Sequence, residues 1–301
     1  MARTGLGPLD IVRWTFRRGG SDIVKLYDAL APLMQLATGG DMLNFGLWQK
    51  GSTFSPREAQ DSLCLMIGEL AEMGSTPGVV VDLGSGLCAP ALKWKSHYPH
   101  QEICCVNINF SQLAYARRLH SALPSGGQGV VSSFSDTALS MVNSNASELP
   151  FADSSISRLI ALESAQHFRP FAQFVRESER VLAPGGLLVI AIPIRSRKCN
   201  FLRLGMLSLT WSSEHYTGEF VRTAIQGGSL QIESYTSIGR SVYQPLAEYY
   251  VRNRNTLRGR ILQRYLPVVE WLLYRSILKM NALSREGMID YVLIKARKRS
   301  L

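Results

Sequence analysis

Cysteine is scarce in this chain, and no cysteine framework can be drawn. The five cysteines stand at 64, 88, 104, 105 and 199 of 301 residues; the count is odd and no pair has Cys-x-x-Cys spacing. That excludes a disulfide-stapled scaffold and fits free thiols in a reducing compartment. Long apolar runs are missing too. The longest, Leu266–Met280, is interrupted by Glu270, Arg275 and Lys279, too short and too charged to span a bilayer. Gly5–Val12 is broken by Gly and Pro and lacks the form of a secretory leader. Internal repeats, low-complexity tracts and interdomain linkers are also absent. What remains is a cytoplasmic globular chain, 46% hydrophobic, able to bury one large core or one core with an elaborated cap. No metal is expected.

Acidic residues are thin in one region only. From Arg240 onward thirteen Lys/Arg face four Asp/Glu, whereas the first 239 residues carry 20 against 19. The net charge of +10 therefore sits almost wholly in the last quarter, which is suited to an anionic substrate, a lipid surface or nucleic acid, or else forms a solvated helical face.

The first 75 residues read as helical. Ile23, Leu26, Tyr27, Leu30 and Leu33 follow helical spacing, a turn stands at Gly39–Asp41, and Ser55 with Pro56 behind it opens a helix reaching Leu70. Alternation then sets in: strand Val79–Val81, helix Ala89–Ser96, strand Ile103–Ile108, helix Gln112–Ala122, strand Ile156–Leu162, helix Phe171–Leu182, a turn at Pro184-Gly185-Gly186, and strand Leu187–Ile192. This order predicts an α/β fold with a Rossmann-like doubly wound sheet, mostly parallel. Two further strands, Gln231–Tyr235 and Met288–Ala296, suit an antiparallel C-terminal hairpin. Between them a basic, aromatic-rich helical stretch, roughly Leu246–Leu283, is too long for a plain connection. The expected organisation is a helical N-terminal segment over 1–75, and a catalytic domain over 76–301 with a helical lid inserted near 196–285.

Val79-Val80-Val81-Asp82-Leu83-Gly84-Ser85-Gly86 is a strand, a carboxylate, and a tight Gly-x-Gly turn into a helix. Glycines let a backbone approach a ligand closely, and a helix N-terminus offers N–H groups. Such a turn also serves dinucleotides. Here the second strand ends on neutral Asn107, where a dinucleotide fold wants an acid or an Arg.

Five ordered segments carry a resemblance to small-molecule class I methyltransferases, the kin of macrolide and sugar O-methyltransferases and of tocopherol and geranyl diphosphate C-methyltransferases. They are Tyr27–Ala31 with Leu43–Trp48, Val106–Gln112, Asn145–Phe151, Glu163–Phe168 and Arg180–Gly186. The resemblance implies S-adenosyl-L-methionine as cofactor. Asp82, Gly84, Ser85 and Gly86 would hold its amino-acid end, Asn107, Ile108 and Gln112 the ribose side, and Asn145 and Ala146 the adenine. Phe45 and Trp48 would wall the cleft.

Methyl transfer requires proximity, orientation and, for a hydroxyl acceptor, a base. His167, after the fourth strand, is the candidate base. Val189–Pro193 lacks the strand-five acid that sugar O-methyltransferases often add, so C-methylation stays open, with Glu163, Tyr27, Trp48 or Trp211 facing a cationic intermediate. Arg195, Arg197, Lys198 and Arg203 could hold a phosphate. The partners expected are a small, lipophilic acceptor, a membrane surface met by the basic C-terminal region, and a second copy of the chain. A nucleic-acid methyltransferase is the alternative, though Glu163-Ser164-Ala165-Gln166 replaces the Pro-Pro segment such enzymes use. A non-catalytic binding subunit is the third reading.

Overall fold

The computed structural model describes residues 20–48, 55–121, 139–205, 207 and 214–300. Its strands are β1 Val79–Leu83, β2 Glu102–Asn107, β3 Ser140–Asn143, β4 Ile156–Leu162, β5 Leu182–Arg195, β6 Leu230–Ser237 and β7 Ile289–Lys298. The helices are α1 Gly20–Thr38, α2 Pro56–Leu70, α3 Ala89–His97, α4 Phe110–Ser121, α5 Phe171–Val181, α6 Phe201–Leu204, α7 Gly218–Gln226, α8 Gly239–Arg252, α9 Arg254–Leu262 and α10 Pro267–Arg285.

The strands form one sheet in the order β3-β2-β1-β4-β5-β7-β6. β1 pairs in parallel with both β2 and β4, as in Val81↔Cys104 and Asp82↔Ile160, and β3 and β5 extend the parallel set outward. The Ile238 N–H donates to Tyr291 O and the Arg299 N–H to Ser229 O. Numbers fall on one strand as they rise on the other, so β6 and β7 run antiparallel. The doubly wound sheet with its antiparallel C-terminal hairpin is as expected. Its strand order reverses between β1 and β4, the place where open α/β sheets bind ligands beyond their carboxyl ends.

Two elements differ from the sequence reading. Pro184-Gly185-Gly186 does not precede β5 but lies within it. Ile156 pairs with Leu182 and Arg158 with Leu187, so the extra residues are a bulge, accommodated by Gly185 at φ +76°. The short strand β3 was not foreseen. Its four residues, Ser-Met-Val-Asn, carry no apolar run, and pairing with β2 defines it. The basic stretch before β7, expected to be helical, is made of the three helices α8, α9 and α10; Pro267 opens the last at its first helical position.

α2 begins on a capping box: the Ser55 N–H and hydroxyl donate to the Glu58 carboxylate at 2.7 and 2.9 Å, and the Glu58 N–H returns to Ser55 Oγ. The chain resolves into two compact, interleaved units. The sheet unit comprises 64–191, 224–235 and 294 onward, and the helical unit the described residues to Leu63, 192–223 and 236–293. Strands of the sheet unit are buried on both faces, as parallel strands must be, through Val80, Val81, Leu159, Ile160, Leu188 and Val189. At the strands' opposite end, Lys295 and Arg297 each bridge Glu72 and Glu233. Beside them, Arg158 donates to the carbonyls of Ala71, Glu72 and Thr76. In the helical unit, Leu33, Ile261, Tyr265 and Val269 form a core. Buried Glu270 accepts from Arg254, whose guanidinium lies 3.7 Å over the Tyr274 ring.

Candidate active site

The turn after β1 is held open by geometry that only glycine tolerates. Gly84 sits at φ +73°, and a Cβ there would stand 2.4 Å from the Ser164 Cβ. Gly86 is at φ +56°. The Gly84 and Ser85 N–H groups donate to Val106 O at 2.7 and 3.1 Å, tying the turn to the end of β2. Asp82 lies just upstream, only 2% exposed. Its Oδ2 accepts nothing from the protein, and burial pushes its carboxyl up to about 7. A buried carboxylate oxygen with no donor calls for a cationic or hydrogen-bonding ligand. Beneath the turn Cys88 and Cys105 share a hydrogen bond that lowers the first thiol's pKa and raises the second's. All five cysteines are free and buried.

The second strand's end supplies a brace and a donor. The Asn107 amide donates to Gly86 O at 3.2 Å and to Gln112 Oε1 at 2.9 Å, and its oxygen accepts the Asn109 N–H. Most of Asn107's capacity is thus engaged in fixing the loop. Gln112 keeps a buried Nε2 with no partner among the described residues, a second orphan. Ile108, at 38% exposure, offers an apolar surface next to them. Asn143 donates to the carbonyls of Asn107 and Ile108. Asn145 caps the following turn by accepting the Ser147 N–H at 3.1 Å, which fixes Ala146, itself buried. Ser147 Oγ is a third buried atom without a partner.

The turn after β4 brings the candidate base to this cradle. Ser164 donates to Leu83 O at 2.5 Å and packs against Gly84, with the Phe168 ring close by. Glu163 stands at φ +51°, a conformation that costs a non-glycine residue energy and recurs at functional sites. Gln166 secures it by donating to Glu163 O at 2.6 Å. A single 3-10 turn, Ala165–His167, then carries the imidazole. Ser164 is the clasp the sequence reading missed as a site residue. Its only signal was a small side chain in the segment that must meet a glycine turn.

Other candidates belong to the helical unit. Phe45 and Trp48 lie in the helical unit, Phe45 edge-on to Tyr243 at 5.9 Å and Trp48 buried against Tyr249. Gly46 between them, at φ +81°, would place a Cβ 2.7 Å from Ala59, so this segment is clipped onto α2. Arg195 donates to the carbonyls of His215 and Cys199, and Arg197 pairs with Glu219; both guanidiniums are occupied by the protein itself. Tyr27 is half-buried on α1. Trp211 lies outside the described residues. Among the described residues, no helix is long and apolar enough to cross a membrane.

Residues 81–190 match the family described as a methyltransferase domain. The chain is 26% identical over 303 residues to the erythromycin 3''-O-methyltransferase of Saccharopolyspora erythraea, covering 95% of this chain and 92% of that protein. It is 24% identical to the 27-O-demethylrifamycin SV methyltransferase of Amycolatopsis mediterranei, covering 92% and 97%. Among solved structures, geranyl diphosphate C-methyltransferase from Streptomyces coelicolor superposes with TM-score 0.67 at 14% identity, covering 99% of this chain and 100% of that one. The cyclase SpnF superposes at 0.72 with 18% identity, covering 93% and 96%. The orphaned carboxylate and amide, the glycine turn they flank and the matched domain lead to one assignment: the chain is a small-molecule class I S-adenosylmethionine-dependent methyltransferase.

Proposed function

We propose that this enzyme O-methylates a hydroxyl group of a small, lipophilic natural product in the cytoplasm, with His167 as general base. The observation that carries the reading is the Ser164 clasp, which holds Glu163 and His167 on one short turn against the Gly84–Gly86 loop. Relatives named for O-methylation support the choice of oxygen.

S-adenosylmethionine, when bound, supplies a methyl group on a positively charged sulfur. Asp82 would take the ligand's α-ammonium on the oxygen that the protein leaves bare, and the Gln112 amide would donate to a ribose or carboxylate oxygen. Ile108 would line the ribose side, while Ala146, fixed by Asn145, would meet the adenine. His167 would take the acceptor hydroxyl's proton, and Glu163 would orient the imidazole or the acceptor, while the methyl group's bond to sulfur breaks and the demethylated thioether is the leaving group. A membrane surface would deliver an acceptor of this kind.

The test is turnover with labelled S-adenosylmethionine against a panel of lipophilic alcohols, phenols and glycosylated macrolides, with products read by mass spectrometry and NMR. An O-methyl ether is expected. His167→Ala should lower kcat by roughly 100-fold or more while affinity for the demethylated cofactor is unchanged. A product methylated at carbon would overturn the choice of oxygen, and undiminished kcat in His167→Ala would remove the base.

A further inference from the structure

The stretch from Tyr249 to Arg285 contains one acidic residue, Glu270, and that one is buried against Arg254. Arg252, Arg258, Arg260, Arg264 and Arg275 are all exposed. Each lacks an ion pair among the described residues, whereas Arg180, Arg197, Arg254 and Arg297 are paired. Unpaired cations of one sign repel one another, which the fold has no internal reason to keep.

Exposed apolar side chains accompany them. Leu266 is 37%, Val268 39%, Trp271 50% and Val251 50% exposed. On α10, Val268, Trp271 and Arg275 recur at spacings of three and four residues. They therefore share the stripe opposite Val269, Ser276, Ile277 and Met280, which are buried. Pro267 adds a rigid start to the same tip. A half-exposed Trp flanked by aliphatics and by long basic side chains matches the chemistry of a bilayer interface, where the ring sits among headgroups and arginines meet lipid phosphates.

We infer that the surface formed by the end of α8, α9 and the first half of α10 docks on anionic lipid membranes, with Leu266, Val268 and Trp271 inserting and the exposed arginines between Arg252 and Arg275 pairing with headgroups. Nucleic acid, which would meet the arginines but not the apolar tip, is the competing occupant.

The full chain is sedimented with vesicles of phosphatidylcholine alone or with 30% phosphatidylglycerol, about ten-fold apart in salt. Binding is expected only to the anionic vesicles and should fall with salt. Arg258→Gln with Arg264→Gln should weaken it about 30-fold, and Trp271→Ser should weaken it at least several-fold. Unfolding midpoints should not move, since all three side chains are exposed. The fluorescence blue shift on vesicle addition should vanish in Trp271→Phe. Failure of the wild-type chain to sediment at low salt overturns the inference. So does tight binding of a random single-stranded RNA that is insensitive to Trp271 and unmatched by vesicles. Vesicle binding requires neither cofactor nor His167, so its failure leaves the methyl-transfer reading standing.

Discussion

Asp82 makes cofactor affinity a function of pH in a way that can be worked out beforehand. Burial raises its pKa from 3.8 to about 7 in the free protein, while a bound α-ammonium requires the ionised form. Below pH 7 the ligand must therefore expel a proton before it binds. At pH 5.5 only about 3% of the free protein holds Asp82 ionised, against about 90% at pH 8, so the dissociation constant should tighten about 30-fold between them. That is about 2 kcal/mol. Isothermal titration calorimetry with S-adenosylhomocysteine, in buffers of different ionisation enthalpy, should find nearly one proton released at pH 6 and almost none at pH 8.5. The same shift predicts a change in the ligand-free protein. A raised carboxyl keeps its full stability below its unfolded value near 4 and loses it as pH rises through 7. Asp82→Asn should therefore melt higher than wild type at pH 8 without ligand and gain little from adding it. Affinity that is flat between pH 5.5 and 8, with no buffer-dependent enthalpy, would refute the reasoning.

Three further outcomes follow from other parts of the structure. Gly84→Ala puts a Cβ against Ser164 at positive φ and should cost about 2 kcal/mol or more by denaturant titration; Ser164→Gly in the same chain should recover part of that loss, and no recovery would refute the clasp. Salt bridges to Lys295 and Arg297 hold the carboxyls of Glu72 and Glu233 below their ordinary range. Their stabilisation is thus present above pH 4.5 and lost as pH falls through the depressed values; Glu72→Gln should cost about 1 kcal/mol at neutral pH, less at high salt, because the pairs are partly exposed. Ser55→Ala should cost about 1 kcal/mol through the lost cap, read as a lower unfolding midpoint with an unchanged denaturant slope.

The motifs that carry chemistry were legible because their geometry is local. Asp82-Leu83-Gly84-Ser85-Gly86 could be read as strand and turn from residue types alone, and the helix start at Ser55 from the Pro56 behind it. Elements defined by their neighbours were not. β3 exists because Ser140–Asn143 pairs with β2, and the β5 bulge because the chain crosses Gly185 without leaving the sheet. In the site, Asp82 and His167 were candidates by position, and Gln112 by the family resemblance. Asn107's engagement with Gly86, and Ser164's with Leu83, depend on contacts 21 and 81 residues away, which no local pattern encodes.

The place of β7 between β5 and β6 sets the order in which a ribosome can complete this enzyme. β6 emerges first and has no finished strand to join, because its neighbour is still to be translated. Until Ile289–Lys298 appears, the growing chain carries two unsatisfied strand edges, on β5 and β6, and Glu72 and Glu233 still lack both of their bridging cations. Its last strand is a keystone laid from within, and a nascent chain that stalls before it is open to edge-to-edge aggregation. Slow decoding or early release near residue 289 should therefore lower soluble yield far more than the same defect in the loop before β6.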